Sequence, residues 1–136
     1  MTRFVALVPR GIAGILAAFM AAYFVTDNFG GTSVLRLSNP FLIPDLLIVL
    51  LLGIAALLPS RPGRPMLIFS LAWSAAVWTV SLAHLIMAGQ VARGLGHLGM
   101  ILPAVIAAVL VIMMQARQRP DRETPDRSAA TASSSP

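Results

Sequence analysis

Three ionisable side chains stand within or beside long apolar stretches: Asp45, His84 and His97. A carboxylate inside a membrane segment is costly to bury and is by default a functional residue. Burial suits it to carrying a proton or receiving a cation. Two imidazoles and a carboxylate also make up the ligand set of a zinc site with one open position. Here the three come from three separate segments with no diagnostic spacing, so no metal and no cofactor is expected. Proton or polar-ligand chemistry is the sharper reading of the trio. Ser81 and Ser74 lie on the side of their helix that carries His84 and could bond a neighbouring imidazole. Arg36 and Arg93 are the cations that could neutralise Asp45. Asp45 also has a structural reading, because an acid in the first turn of a helix is stabilised by free backbone N–H groups and the helix dipole.

Other motifs carry less. Gly94-Leu95-Gly96-His97-Leu98-Gly99 matches G-x-G-x-x-G. A dinucleotide site needs that motif after a strand in a βαβ unit, and here it joins two apolar segments, so it reads as a Gly-rich turn. No Ser–His–Asp set, paired carboxylate or phosphate loop has usable spacing, and no enzyme activity is expected. Cysteine is absent, which removes disulfides, thiolate chemistry and Cys-ligated metals.

The elements that must position these residues are membrane helices. The chain has 136 residues, 57% hydrophobic and 11% charged, with a mean hydropathy of +0.83. A soluble domain carries about 25% charged residues. Four apolar runs predict an all-α integral membrane protein, a bundle of four transmembrane helices at about 11–28, 41–58, 66–88 and 97–114. Together, residues 1–114 make the transmembrane domain, and the polar, Ser/Pro-rich 115–136 should be a disordered cytoplasmic tail. The first run has a basic start like a signal peptide, but no A-x-A site follows it, so it reads as a retained helix. Asn39-Pro40 reads as the N-cap and first residue of the second helix, with Pro44 either starting that helix or disturbing its first turn. Pro59 to Pro65 reads as a tight basic turn.

Arginine placement sets the orientation. Arg3, Arg10, Arg61, Arg64 and the four arginines of the tail fall on one side, Arg36 and Arg93 on the other. Both termini are therefore expected in the cytoplasm of a multi-pass inner (plasma) membrane protein, with Asp45, His84 and His97 in the outer half. All ten basic residues are Arg, the coding bias of a GC-rich bacterial genome. The net charge of +5 is spread over loops without an aromatic-interleaved patch, so the partner is the lipid bilayer and not nucleic acid.

Membrane helices pack through small and polar residues. That rule turns Gly11, Gly14, Ala18, Ala21, Ala22 and Val25 inward on the first helix. On the second it turns Asp45, Val49, Leu52, Gly53 and Ala56 inward and leaves Leu46, Leu47, Leu50, Ile54, Leu57 and Leu58 to lipid. On the third it selects Ser70, Ser74, Val77, Ser81, His84 and Ala88, with Trp73 inside and Trp78 free for a partner surface. On the fourth, His97 aligns with Ile101, Ala104, Ala108 and Gln115. Two function classes follow. The leading expectation is a non-enzymatic packing or accessory component, assembling with itself or a larger membrane complex. The alternative is a small proton- or ion-linked transporter or channel using Asp45 with His84 and His97 in the outer half of the bundle.

Overall fold

A computed structural model describes residues 2–28 and 33–117, with side chains described from Leu7 onward except at Ser60 and Arg61. Among these residues the fold is entirely helical: α1 Thr2–Val25, α2 Leu42–Leu57, α3 Ser60–Met87, α4 Val91–Gly96 and α5 Leu98–Arg117. Three stretches are long and apolar enough to cross a membrane: Leu7–Val25 in α1, Pro62–Met87 in α3, and Val91–Arg117 through α4 and α5. At about 1.5 Å per residue, the 16-residue α2 is about 24 Å long, short of the roughly 30 Å hydrocarbon core.

The long helices pack as a ring. α1 lies against α2 and α5, and α3 lies against α2 and α5, with only a minor diagonal contact between α1 and α3. The interior is filled by Ala13, Leu16, Ala17, Met20 and Phe24 of α1, Ile48, Leu52 and Ala55 of α2, Leu67, Leu71, Ala75 and Trp78 of α3, and Ala104, Ala107 and Val111 of α5. Alanines let neighbouring backbones approach, while Leu16, Met20, Phe24 and Trp78 occupy the wider space at the ring's centre.

Several boundaries differ from expectation. α1 begins at Thr2 and takes Pro9 into its interior, where Pro9 is buried. The Pro59–Pro65 turn shrinks to Leu58 and Pro59: Pro62 falls in the first turn of α3, where a proline's missing N–H costs little, and Pro65 lies inside the helix, where it forgoes one i→i−4 hydrogen bond. The 89–97 loop contains α4, and residues 115–117 of the expected tail continue α5. The rest of that tail, like Gly30–Gly31, lies outside the described residues. α2 starts at Leu42 behind Phe41, with no side-chain cap. Asn39 works one step earlier instead: its Oδ1 accepts the Phe41 N–H at 3.1 Å and its Nδ2 donates to the Val34 carbonyl at 3.1 Å. Pro44 sits in the first turn without disturbing it, and the Asp45 N–H reaches the Phe41 carbonyl at 2.9 Å.

On α5 the buried Ala104 and Ala108 match the small-residue reading, and on α2 Leu46, Leu47, Leu50, Ile54 and Leu57 point outward as expected, but the buried stripe of α2 is Ile48, Leu52 and Ala55, with Asp45, Val49, Gly53 and Ala56 only partly buried. α1 departs further. Its buried stripe runs 13, 16, 17, 20, 24, one position and about 100° away from the small stripe, and Gly11, Ala18, Ala22 and Val25 are exposed. On α3, Ser70 and Ser74 are buried as expected, but the tryptophans exchange places. Trp78 is 2% exposed, whereas Trp73 is 36% exposed and stacks on Phe69 at 6.3 Å. Spacing explains this: 67, 70, 71, 74, 75 and 78 form one continuous i, i+3/i+4 stripe that position 73 cannot join.

Candidate functional site

Asp45 is held by the first turn of α2, four residues after Phe41 and so on the same side of the chain. It is half-buried. The helix start is not a free surface, since Asn39 and Pro40 of the preceding loop and Tyr23 of α1 share one cavity with it. A first-turn acid and a buried acid, distinct readings of the sequence, are therefore the same acid here.

That cavity has a volume of about 520 Å³ and occupies the end of the ring where α1 stops, α2 begins, α3 stops and α5 begins. His84 and Ser81 of α3, Arg93 of α4 and His97 between α4 and α5 also line it. Its remaining surface is largely apolar or aromatic, from Phe19, Met20, Phe41, Trp78, Leu85 and Met100. An apolar cleft of this size with a few convergent polar groups is the usual form of a small-ligand site.

The two histidines differ. His97 is fixed at both ring nitrogens. Its Nδ1 lies 3.3 Å from the Arg93 carbonyl and its Nε2 3.2 Å from Ser81 Oγ. A carbonyl only accepts, so Nδ1 carries the proton, and in the neutral ring Nε2 accepts from the Ser81 hydroxyl. This contact ties α3 to the α4–α5 junction. His84 is exposed at the rim, its ring 5.7 Å from that of Phe41. The Ser81 contact expected for His84 thus goes to His97.

Ser74 does not belong to this site. It is fully buried and donates to the Ser70 carbonyl of its own helix at 2.7 Å. Ser70 lies deeper in the helix pair, its hydroxyl near both the Met66 carbonyl at 2.6 Å and the Leu51 carbonyl of α2 at 3.1 Å. Arg36 does not line the cavity and is exposed beside Asp27. Arg93 lines it, with its guanidinium donating to Gln90 Oε1 at 3.0 Å. Asp45, His84 and His97 share the cavity, but no group of three His, Asp or Glu among the described residues could hold a metal ion.

Asp27 stays outside the cavity, in a turn past the end of α1 where it and Asn28 take left-handed backbone angles (φ 46° and 63°). Its Oδ1 accepts the Val34 N–H at 2.9 Å, which holds its carboxyl below the usual range.

Sequence reasoning missed Tyr23, Asn39 and Trp78 as lining residues. Trp78 matters most, because its indole N–H is buried with no hydrogen-bond partner among the described residues. The available signal was spacing: Trp78 lies one turn before Ser81, on the stripe continued from Ser70 and Ser74.

No known protein family matches the chain, and neither a curated protein nor a solved structure matches it.

Proposed function

We propose that this chain is a four-span integral membrane protein of the plasma membrane that works as a small proton- or ion-linked transporter or channel. Asp45 is its central group, with His84 and His97 beside it in the outer half of the bundle. The observation that carries this reading is a half-buried carboxylate lining a 520 Å³ cavity together with both histidines of the chain. A packing residue has no need of a cavity, whereas a group that exchanges a proton or cation does. No catalysis and no cofactor enter this reading, and both termini face the cytoplasm as the arginine bias requires.

The test is ion and proton flux in liposomes containing the protein purified alone. Wild type should carry flux that Asp45→Asn abolishes and Asp45→Glu partly restores. Equal flux from wild type and Asp45→Asn, or none from either, overturns the proposal.

One observation favours the accessory reading, in which the chain packs against itself or a larger complex. Phe69 and Trp73 form a stacked aromatic pair on the outer surface of α3, where aromatic anchors often meet a partner. A stoichiometric partner in mild detergent, lost on Trp73→Ala, together with absent flux, would establish it.

A further inference from the structure

Trp78 presents a donor that the protein leaves unused. The side chain is 2% exposed and lines the cavity, and its indole N–H has no partner among the described residues. A buried unsatisfied donor is costly in a folded protein, and such groups are few. That N–H has almost no accessible surface, so Trp78 serves the cavity as an aromatic wall and an optical reporter rather than as a donor.

The cavity's charges say what a ligand there carries. Asp45 is half-buried, and among the described residues its carboxylate is the only acidic side chain on the wall. Arg93, the only arginine among those residues on the wall, is exposed and already bonded to Gln90. The protected charge is therefore negative and the screened charge positive. Around Asp45 the wall is aromatic: Phe41 one turn before it, Tyr23 opposite on α1, and His84 tilted against Phe41. Aromatic faces with one carboxylate attract an organic cation. An anion could meet Arg93 and the two histidines, but only against the repulsion of Asp45. A purely apolar ligand would leave Asp45 without a partner.

We propose that the cavity binds an amphipathic organic ammonium ion, with its cationic group against Asp45 and the aromatic wall and its apolar part along Trp78 and Met100. This rests on the reading of the cavity as a ligand site, and it adds the ligand's chemical class.

The chain has two tryptophans and one tyrosine, so Trp73→Phe, with excitation at the red edge where tyrosine does not absorb, leaves Trp78 as the chain's only emitter. Full-length protein carrying this change, in lipid nanodiscs, is titrated with benzoylcholine, which combines a trimethylammonium, an ester and an aromatic ring. Its uncharged carbon isostere, 3,3-dimethylbutyl benzoate, is titrated in parallel, and empty nanodiscs are subtracted. Benzoylcholine should saturate a change in Trp78 emission and bind about tenfold tighter than the isostere, the scale of a desolvated cation–π and charge contact. Asp45→Asn should erase that preference and Asp45→Glu retain it. Equal binding of benzoylcholine and its isostere to the Asp45-containing protein overturns the proposal without recourse to any Asp45 variant. The flux assay separates the two readings. Asp45-dependent proton flux without cation preference removes the ligand class alone. Cation preference without flux removes transport and leaves the binding site.

Discussion

At the scale of single residues, the unpartnered Trp78 N–H and the twice-bonded His97 make opposite predictions. Trp78→Phe removes a buried donor whose desolvation costs about 1–3 kcal/mol, against the packing lost with a smaller ring. In the ligand-free protein it should change stability by no more than about 1 kcal/mol, whereas Trp78→Ala should cost about 3–5 kcal/mol. Thermal unfolding in one detergent reads both. If Trp78→Phe is as damaging as Trp78→Ala, the N–H was being satisfied. Ser81→Ala should cost about 0.6 kcal/mol, the average for a hydrogen bond between membrane helices, and should release the His97 ring, seen as altered imidazole resonances. Asp27 supplies a pH prediction outside the spans. Its carboxyl is held low by the Val34 N–H, so the link is complete above the unfolded carboxylate range. It weakens as pH falls through the depressed value of the folded state. The Val34 amide should exchange slowly near neutral pH. Relative to neighbouring amides, and after correction for intrinsic exchange rates, it should lose that protection under acid. Asp27→Ala should remove it at every pH, and protection surviving in that variant would show that the bond does not hold the loop.

At the scale of elements, the link between α1 and the end of α2 is the most exposed to a single change. The Arg10 guanidinium donates to the Leu58 carbonyl, just past the last turn of α2, where a cation also meets the negative end of the helix dipole. Gly63 is buried beside them, and a Cβ there would stand 3.1 Å from both the guanidinium and that carbonyl. Arg10→Ala should cost about 1.5–3 kcal/mol, as for hydrogen bonds to charged groups. Gly63→Ala should destabilise by disturbing the same contact, so the double variant should lose less than the sum. Strict additivity would mean the two act separately. The same scale explains what sequence could show. The outer side of α2 was legible because its leucines gather there, although the buried stripe is Ile48, Leu52 and Ala55, and on α3 the serines marked the buried side at Ser70 and Ser74. From Leu7 to Val25, α1 is apolar nearly all round, so little chemical contrast marks its buried face. A rule that turns small residues inward chose the wrong stripe on α1 and the wrong tryptophan on α3, because Leu16, Met20 and Phe24, with Trp78 on α3, are needed to fill the centre. The Asp45–His84–His97 grouping was readable from depth, since all three lie near helix ends that a bundle places together. Trp78 and Tyr23 were not, because nothing in an apolar run announces a cavity.

At the scale of the whole molecule the open matter is how many times the chain crosses the membrane, and the short α2 decides it. The start of α2 shares a cavity with the end of α1, and its end lies by Arg10, 13 residues earlier in α1 than Tyr23. α2 therefore runs antiparallel to about 20 Å of α1. The 33–41 loop meets α4 at the cavity, so positions 37 and 93 belong to one end of the ring. This arrangement supports four crossings, with the bilayer thinned or side chains snorkelling beside α2, at a cost of fractions of a kcal/mol per Å of mismatch. Reporters fused at Leu37 and Gly89 should both read outside, and one at Arg117 inside. If α2 only dips into the membrane, Leu37 and Gly89 must read on opposite sides, and Leu37 and Arg117 on the same side. The same fusions fix where ligand enters. With four crossings the cavity mouth opens to the outer face, so a membrane-impermeant cation should change Trp78 emission when added outside right-side-out vesicles carrying Trp73→Phe. It should fail to do so from inside. A change only from the inner face would invert the bundle and overturn the arginine-based orientation.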